Sequence, residues 1–315
     1  MNKQNVRNLY FDIRENYNID LLSYCPLTSK SVKIITKDNN KLIVKKSKDK
    51  VKSKYMFLKN EGLDNIIYPY FNKKKNLLTR LSNDEFFDEC YYVLPFYDDN
   101  NVLNETKVKS LLEELKTLHI KTSFKRNLSL KKSKNKMEEI ISLLDFKFKS
   151  LEAYVRTIET QKYDEFTIPI LKNYHYILDC RKILIEKNRK IVNAIKEGKS
   201  VTYCFLHNNP KLDHLIINEG NRFLISIDNG IIGIPSLDIA KFYIENEDIN
   251  FDIYTHIYNY FNEYEDEFYY DYFVFLVLLI YIKGLIIDSK GYISTQSFIF
   301  TTNSINKFIK TFKLQ

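Results

Sequence analysis

Residues 206–216 read LHNNPKLDHLI and residues 225–230 read ISIDNG. Short apolar runs at 203–205, 215–217 and 223–227 bracket these polar residues, a pattern that predicts short strands joined by tight connections. Asp228-Asn229-Gly230 is turn chemistry, because Asp and Asn bond nearby backbone amides and glycine enters conformations closed to other residues. A hairpin over 203–228 would hold a polar loop at one end and a strand-end carboxylate, Asp228, at the other.

Downstream, residues 233–240 read GIPSLDIA, and beyond Pro235 the periodicity is helical. The strongest apolar run, residues 272–282 (YFVFLVLLIYI), lies between Asp271 and Lys283. It falls short of the roughly 20 residues a bilayer requires, so it predicts a buried helix. Upstream, residues 137–198 read as helical, with Gly198 as the stop. Val108, Leu111, Leu112, Leu115 and Leu118 predict another helix, ending near His119. Between these, residues 121–136 (KTSFKRNLSLKKSKNK) are basic and weakly patterned, and are expected to form a surface connection. In the first 95 residues, runs at 32–36 and 42–44 flank Asp38-Asn39-Asn40, a helix is expected near 50–60, and 66–70 and 91–96 look strand-like. The expected class is α+β, with a small, mostly antiparallel sheet and one helix over 1–96 and a larger helical part over 97–315.

In order and spacing, these segments resemble the aminoglycoside phosphotransferase and choline kinase family, near the kinase-like proteins of Firmicutes that include spore-coat relatives. Residues 207–214 resemble its H-x-D-x-x-x-x-N loop, and the end of ISIDNG its metal-binding strand end. GIPSLDIA resembles its G-x-P-x-x-D-[LI]-A continuation, residues 115–123 (LKTLHIKTS) its L-x-x-L-H-x-x-S helix end, and Leu42-Ile43-Val44-Lys45 its lysine strand. The resemblance runs from about residue 25 to about 245. It implies a bilobal protein-kinase-like fold that uses ATP and Mg²⁺. Phosphoryl transfer rests on positioning and charge neutralisation: a lysine on the nucleotide phosphates, oxygen ligands on the metal, and a carboxylate at the acceptor hydroxyl. The resemblance puts Lys45 on the phosphates, with Lys46 as the alternative if the strand slips by one residue. It makes Asp228 a metal ligand, gives Asp238 and His207 structural roles, and makes His119 a packed helix-end histidine.

Four departures bear on chemistry. Asn209 stands where the family has its catalytic Asp, and an amide cannot take a proton, forfeiting general-base help of about 10²- to 10⁴-fold. His214 replaces the metal-binding Asn, although Mg²⁺ prefers oxygen ligands; a one-residue slip would put Asp213 there instead. The first 61 residues contain no glycine, so the turn at 27–32 (LTSKSV) lacks the freedom to approach phosphates closely. Residues 50–60 (KVKSKYMFLKN) contain no acid to pair with Lys45.

Composition bounds the rest. The 315 residues are 44% hydrophobic and 28% charged, with 24 Tyr and 22 Phe, so disorder is excluded as the default and a large core is available. The net charge of +8 attracts nucleotides or acidic surfaces but is mostly a lysine-rich solvated face. Cys25, Cys90, Cys180 and Cys204 show no metal-ligand spacing and read as reduced thiols; with no apolar leader at the start, a cytoplasmic protein is expected. No membrane span or nucleic-acid partner is expected. The leading expectation is a kinase-fold protein with a degraded active site that acts by binding. The alternatives are an active ATP-dependent phosphotransferase on a small hydroxylated or amino-alcohol substrate, and a polyanion-binding module. The acidic run 262–271 (NEYEDEFYYD) is the one stretch suited to a cationic acceptor, against a solvated helix face.

Overall fold

The computed structural model describes residues 3–47, 50–80, 90–100, 102–128, 130–160, 163–249, 252–264, 266–286 and 292–314. In chain order it begins with α1 (Lys3–Tyr17), β1 (Leu21–Pro26), β2 (Ser31–Thr36), β3 (Lys41–Ser47) and α2 (Val51–Asn60). Next come β4 (Thr79–Arg80), β5 (Cys90–Pro95), α3 (Asn104–Lys121), β6 (Phe124–Asn127), α4 (Leu130–Glu159) and α5 (Thr167–Lys196). Then follow β7 (Ser200–Leu206), β8 (Leu215–Asn218), β9 (Asn221–Leu224), β10 (Ile231–Gly233), α6 (Ser236–Asn246), α7 (Ile253–Asn262), α8 (Glu267–Gly284) and α9 (Tyr292–Thr311). The class is α+β, a protein-kinase-like fold with a small antiparallel sheet towards the N-terminus and a larger helical part towards the C-terminus.

Two compact units form, Met1–Thr122 with Phe205–Ile231, and Ser123–Cys204 with Ile232–Gln315. In the first, the described strands run β1-β2-β3-β5-β4, each antiparallel to its neighbour. Strict alternation sorts the faces: Val32, Ile34, Leu42, Val44, Tyr91 and Val93 bury on one side with Ile13 of α1. β5 is buried on both faces, so Tyr92 points the opposite way, and its ring meets Tyr55 of α2 edge-on at 5.8 Å. Helix α2 buries Val51, Tyr55 and Leu58 and stops where Gly62 adopts φ +67, a left-handed conformation that favours glycine. α1 had no counterpart in the sequence reading. The strand-like run at 66–70 makes one bridge, Ile66 to Leu224, and no strand of its own.

In the second unit the described strands run β10-β7-β6. The basic stretch 121–136 is not a plain connection: Phe124–Asn127 pairs antiparallel with β7, and Leu130 starts the long helix α4. A packing partner overrides weak local patterning here, because the Phe124 ring stacks on Tyr203 across the pair at 6.1 Å. α8 carries the apolar run 272–282 and is buried all round, with Phe273, Val274, Phe275, Val277 and Leu278 enclosed. It packs chiefly on α5 and α6, and also touches α4, α7 and α9. Among the described residues, no helix is long and apolar enough to cross a membrane.

Candidate functional site

The site is built inside the first unit. Lys45 lies on β3 directly opposite Tyr92 on β5, so both side chains leave the same face of the sheet, the face turned to α2. On that face, Lys45 Nζ is 2.7 Å from Asp228 Oδ2, the two side chains only 19% and 18% exposed. The Tyr92 hydroxyl donates to Asp228 Oδ1 at 2.6 Å. A third group arrives from α2: Lys54 Nζ donates to the main-chain carbonyl of Asp228. Helical spacing explains its reach, since Lys54 lies three residues after buried Val51 and four before buried Leu58, on the inward face.

Asp228 sits in a tight turn, Ile227–Asn229, with Ile227 buried and Ser226 before it at φ 62. Gly230 closes this turn against the Phe205 ring, and a Cβ there would come within 2.2 Å of it. The loop after β7 is tied to the same turn, because Asn208, at φ 65, donates from Nδ2 to the Asn229 carbonyl at 3.0 Å. Fully buried His207 donates from Nε2 to the Ile225 carbonyl at 2.7 Å and accepts the Asn209 amide at Nδ1, 3.4 Å away. His214 donates from Nδ1 to the Asn209 carbonyl at 2.7 Å. The two imidazoles lie 5.5 Å apart, centre to centre. The structure thus brings Lys45, Asp228, His207, Asn209 and His214 into one unit, with loop and turn hydrogen-bonded together. Asp213 stands 77% exposed beside His214, its carboxylate 4.0 Å from Nε2.

Burial sets the electrostatics. The Tyr92 phenol is pushed well above its usual value, first by burial, then by the neighbouring Tyr55 and the Asp228 carboxylate; Tyr55 is raised by burial and then Asp228. Both hydroxyls therefore stay protonated, and Tyr92 remains a donor. Burial lowers the Lys54 ammonium, and Asp228 partly offsets the shift.

The turn between β1 and β2 is self-contained. Thr28 Oγ1 accepts the backbone amides of Lys30 and Ser31, both at 3.1 Å, so those two N–H groups are already satisfied within the turn. His119 is fully buried on α3. In the other unit, Asp238 is fully buried in the first turn of α6, where its charge joins burial in raising the Cys204 thiol. The acidic run 262–271 is largely committed: Asp266 caps α8 and pairs with Lys199, and buried Asp271 pairs with Lys187 and Lys190. Glu265 lies outside the described residues.

Tyr92 and Lys54 were missed by sequence reasoning. For Tyr92 a signal existed, since it stands in the strand-like run 91–96, but its pairing with Lys45 joins segments 47 residues apart in number. For Lys54 the sequence offers only its helical spacing from Val51 and Leu58.

An aminoglycoside phosphotransferase from Alicyclobacillus acidocaldarius superposes with TM-score 0.60 at 11% identity, over 95% of this chain and 93% of that one. The chain has the aminoglycoside phosphotransferase fold. A microcompartment-associated aminopropanol kinase shares this fold at TM-score 0.56 and 9% identity, covering 98% of this chain and 99% of its own. So does an amicoumacin kinase solved with AMP-PNP, Ca²⁺ and its antibiotic, at TM-score 0.53 and 10% identity, over 98% and 94% of the two chains. No family model matches the chain, and no curated protein matches it by sequence.

Proposed function

We propose that this protein uses the phosphotransferase fold to bind a nucleotide and turns it over slowly or not at all. The observation that carries the reading is the state of the two acid positions. Asn209 stands in the loop where a working enzyme needs a proton acceptor, and both carboxylate oxygens of Asp228 are engaged by Tyr92 and Lys45. In this reading Lys45 meets the phosphates, Asp228 and His214 occupy the metal positions, and His207 and Asp238 hold the scaffold. The Lys-rich surface serves solubility.

The test has two arms. ATP or ADP is expected to stabilise the full chain by about 3 kcal/mol at a hundredfold excess over Kd, read as a rise in melting temperature. ATP consumption with aminoglycosides, amino alcohols and other small hydroxylated compounds is expected to stay far below the roughly 1–100 s⁻¹ usual for kinases; a rate in that range refutes the reading. Asn209→Asp combined with His214→Asn is expected to raise ATP consumption by restoring the base and an oxygen ligand.

A further inference from the structure

The fold implies a divalent cation beside the nucleotide, and the donors here do not fit Mg²⁺. That ion wants near-octahedral oxygen ligands. Asp228 offers oxygens that already accept from Tyr92 at 2.6 Å and from Lys45 at 2.7 Å. His214 offers only an imidazole nitrogen, its other nitrogen being bound to the Asn209 carbonyl. Among the described residues, no group of three or more His, Cys, Asp and Glu is placed to hold a metal.

Positive charge is present in another form. Lys45 and Lys54 reach the same residue from different elements, one to its carboxylate and the other to its carbonyl. Two ammonium groups carry the formal charge of one Mg²⁺, and each has three donors, of which the contact with Asp228 uses one. The β1–β2 turn cannot share this duty through Lys30 and Ser31, whose amides are held by Thr28. Phosphate affinity at this site therefore falls to side-chain cations.

Resting on the nucleotide-binding reading above, we propose that the site accepts the phosphates of a nucleoside di- or triphosphate without a divalent cation, Lys45 and Lys54 together supplying the neutralising charge. Asp228 then holds Lys45 with its carboxylate, as a resident anion, and Lys54 with its main-chain carbonyl, and gives up Lys45 to an incoming phosphate. The sign of one substitution distinguishes this from a metal site. Where a carboxylate holds a metal, its removal weakens nucleotide binding; where it competes with phosphate for a lysine, removal strengthens binding.

Calorimetric titration of the full chain with ATP and ADP, in EDTA and in excess Mg²⁺, tests this directly. The two dissociation constants are expected to agree within about threefold, and Lys54→Met to weaken binding in EDTA about tenfold or more. Asp228→Asn is expected to tighten binding in EDTA severalfold; circular dichroism melts show that each variant is folded, and Lys54→Gln replaces Lys54→Met if the latter is not. Binding of ATP only with Mg²⁺, or loss of metal-free binding in folded Asp228→Asn, overturns this inference and leaves the nucleotide reading standing. No binding in either buffer overturns both. Tripolyphosphate is expected to bind at least about tenfold more weakly than ATP, and equal binding overturns the assignment to a nucleotide.

Discussion

Replacing Tyr92 by Phe deletes one oxygen from a ring that is otherwise fully buried, and it isolates the contribution of the hydrogen bond to Asp228. A bond from a neutral donor to a charged acceptor contributes about 1.5–3 kcal/mol, and at 18% side-chain exposure water can replace it only in part, so Tyr92→Phe should cost about 2 kcal/mol. Asp228→Asn removes the charge from the same bond and also breaks the pair with Lys45. With both side chains about one-fifth exposed, that pair lies between the 0–1 kcal/mol of surface pairs and the roughly 3–5 kcal/mol of broken buried ones. The second variant should therefore lose about 2–3 kcal/mol. Because the two changes share one bond, the double variant should be less destabilised than the sum by about 1–1.5 kcal/mol. Urea unfolding followed by near-ultraviolet dichroism reads this, since the chain has no Trp and the tyrosines report on packing. A coupling below about 0.4 kcal/mol would mean the two residues act independently, and would remove Tyr92 from the site.

Gly230→Ala should destabilise the protein by about 1–3 kcal/mol, because the new methyl meets the Phe205 ring, itself packed 6.2 Å from Phe57, and the Leu206 carbonyl; calorimetry measures the drop. A thiol reagent at neutral pH should modify exposed Cys25 quickly and reach buried Cys90, Cys180 and Cys204 only on unfolding, burial having raised the last two thiols; four fast-reacting groups in the folded protein would contradict this packing. Burial raises Tyr68 and Tyr272 to about 12, above the value of 10 they take when unfolded. Their contribution is then fully present below pH 10 and is lost as pH rises through about 12, so unfolding free energy should fall steadily above pH 10, and a flat profile would count against their burial.

Much of the fold was legible because it is written in local periods. The alternation in β2 and β3, the turn between them and the helical spacing of α3 are short-range signals. α1 was not read, for its face is sparse: Tyr10, Ile13 and Tyr17 are spaced for a helix, but only Ile13 is fully buried, and Phe11 between the first two is exposed. The strand β6 was lost for the opposite reason, since its four residues are exposed and only pairing with β7 defines it. At the site, Asn209 and His214 stood out because they depart from the loop pattern that residues 207–214 resemble. Whether Lys45 or Lys46 faces Asp228 could not be read from the strand alone. The pairing of β3 with β5 decides it, and that is information of long range. Lys54 and Tyr92 meet Asp228 across separations of 174 and 136 residues, and no local pattern announces such a meeting.

The enclosure of α8 has a consequence for biosynthesis. A helix apolar on every side cannot float on a half-made domain, and its Phe273 ring rests on Phe308 and Phe312, which arrive with and just after α9. Until α9 has emerged and packed, the chain carries a greasy rod with no lid, a natural client for a chaperone. Interrupting synthesis between α8 and α9 should yield aggregates and no shortened soluble protein.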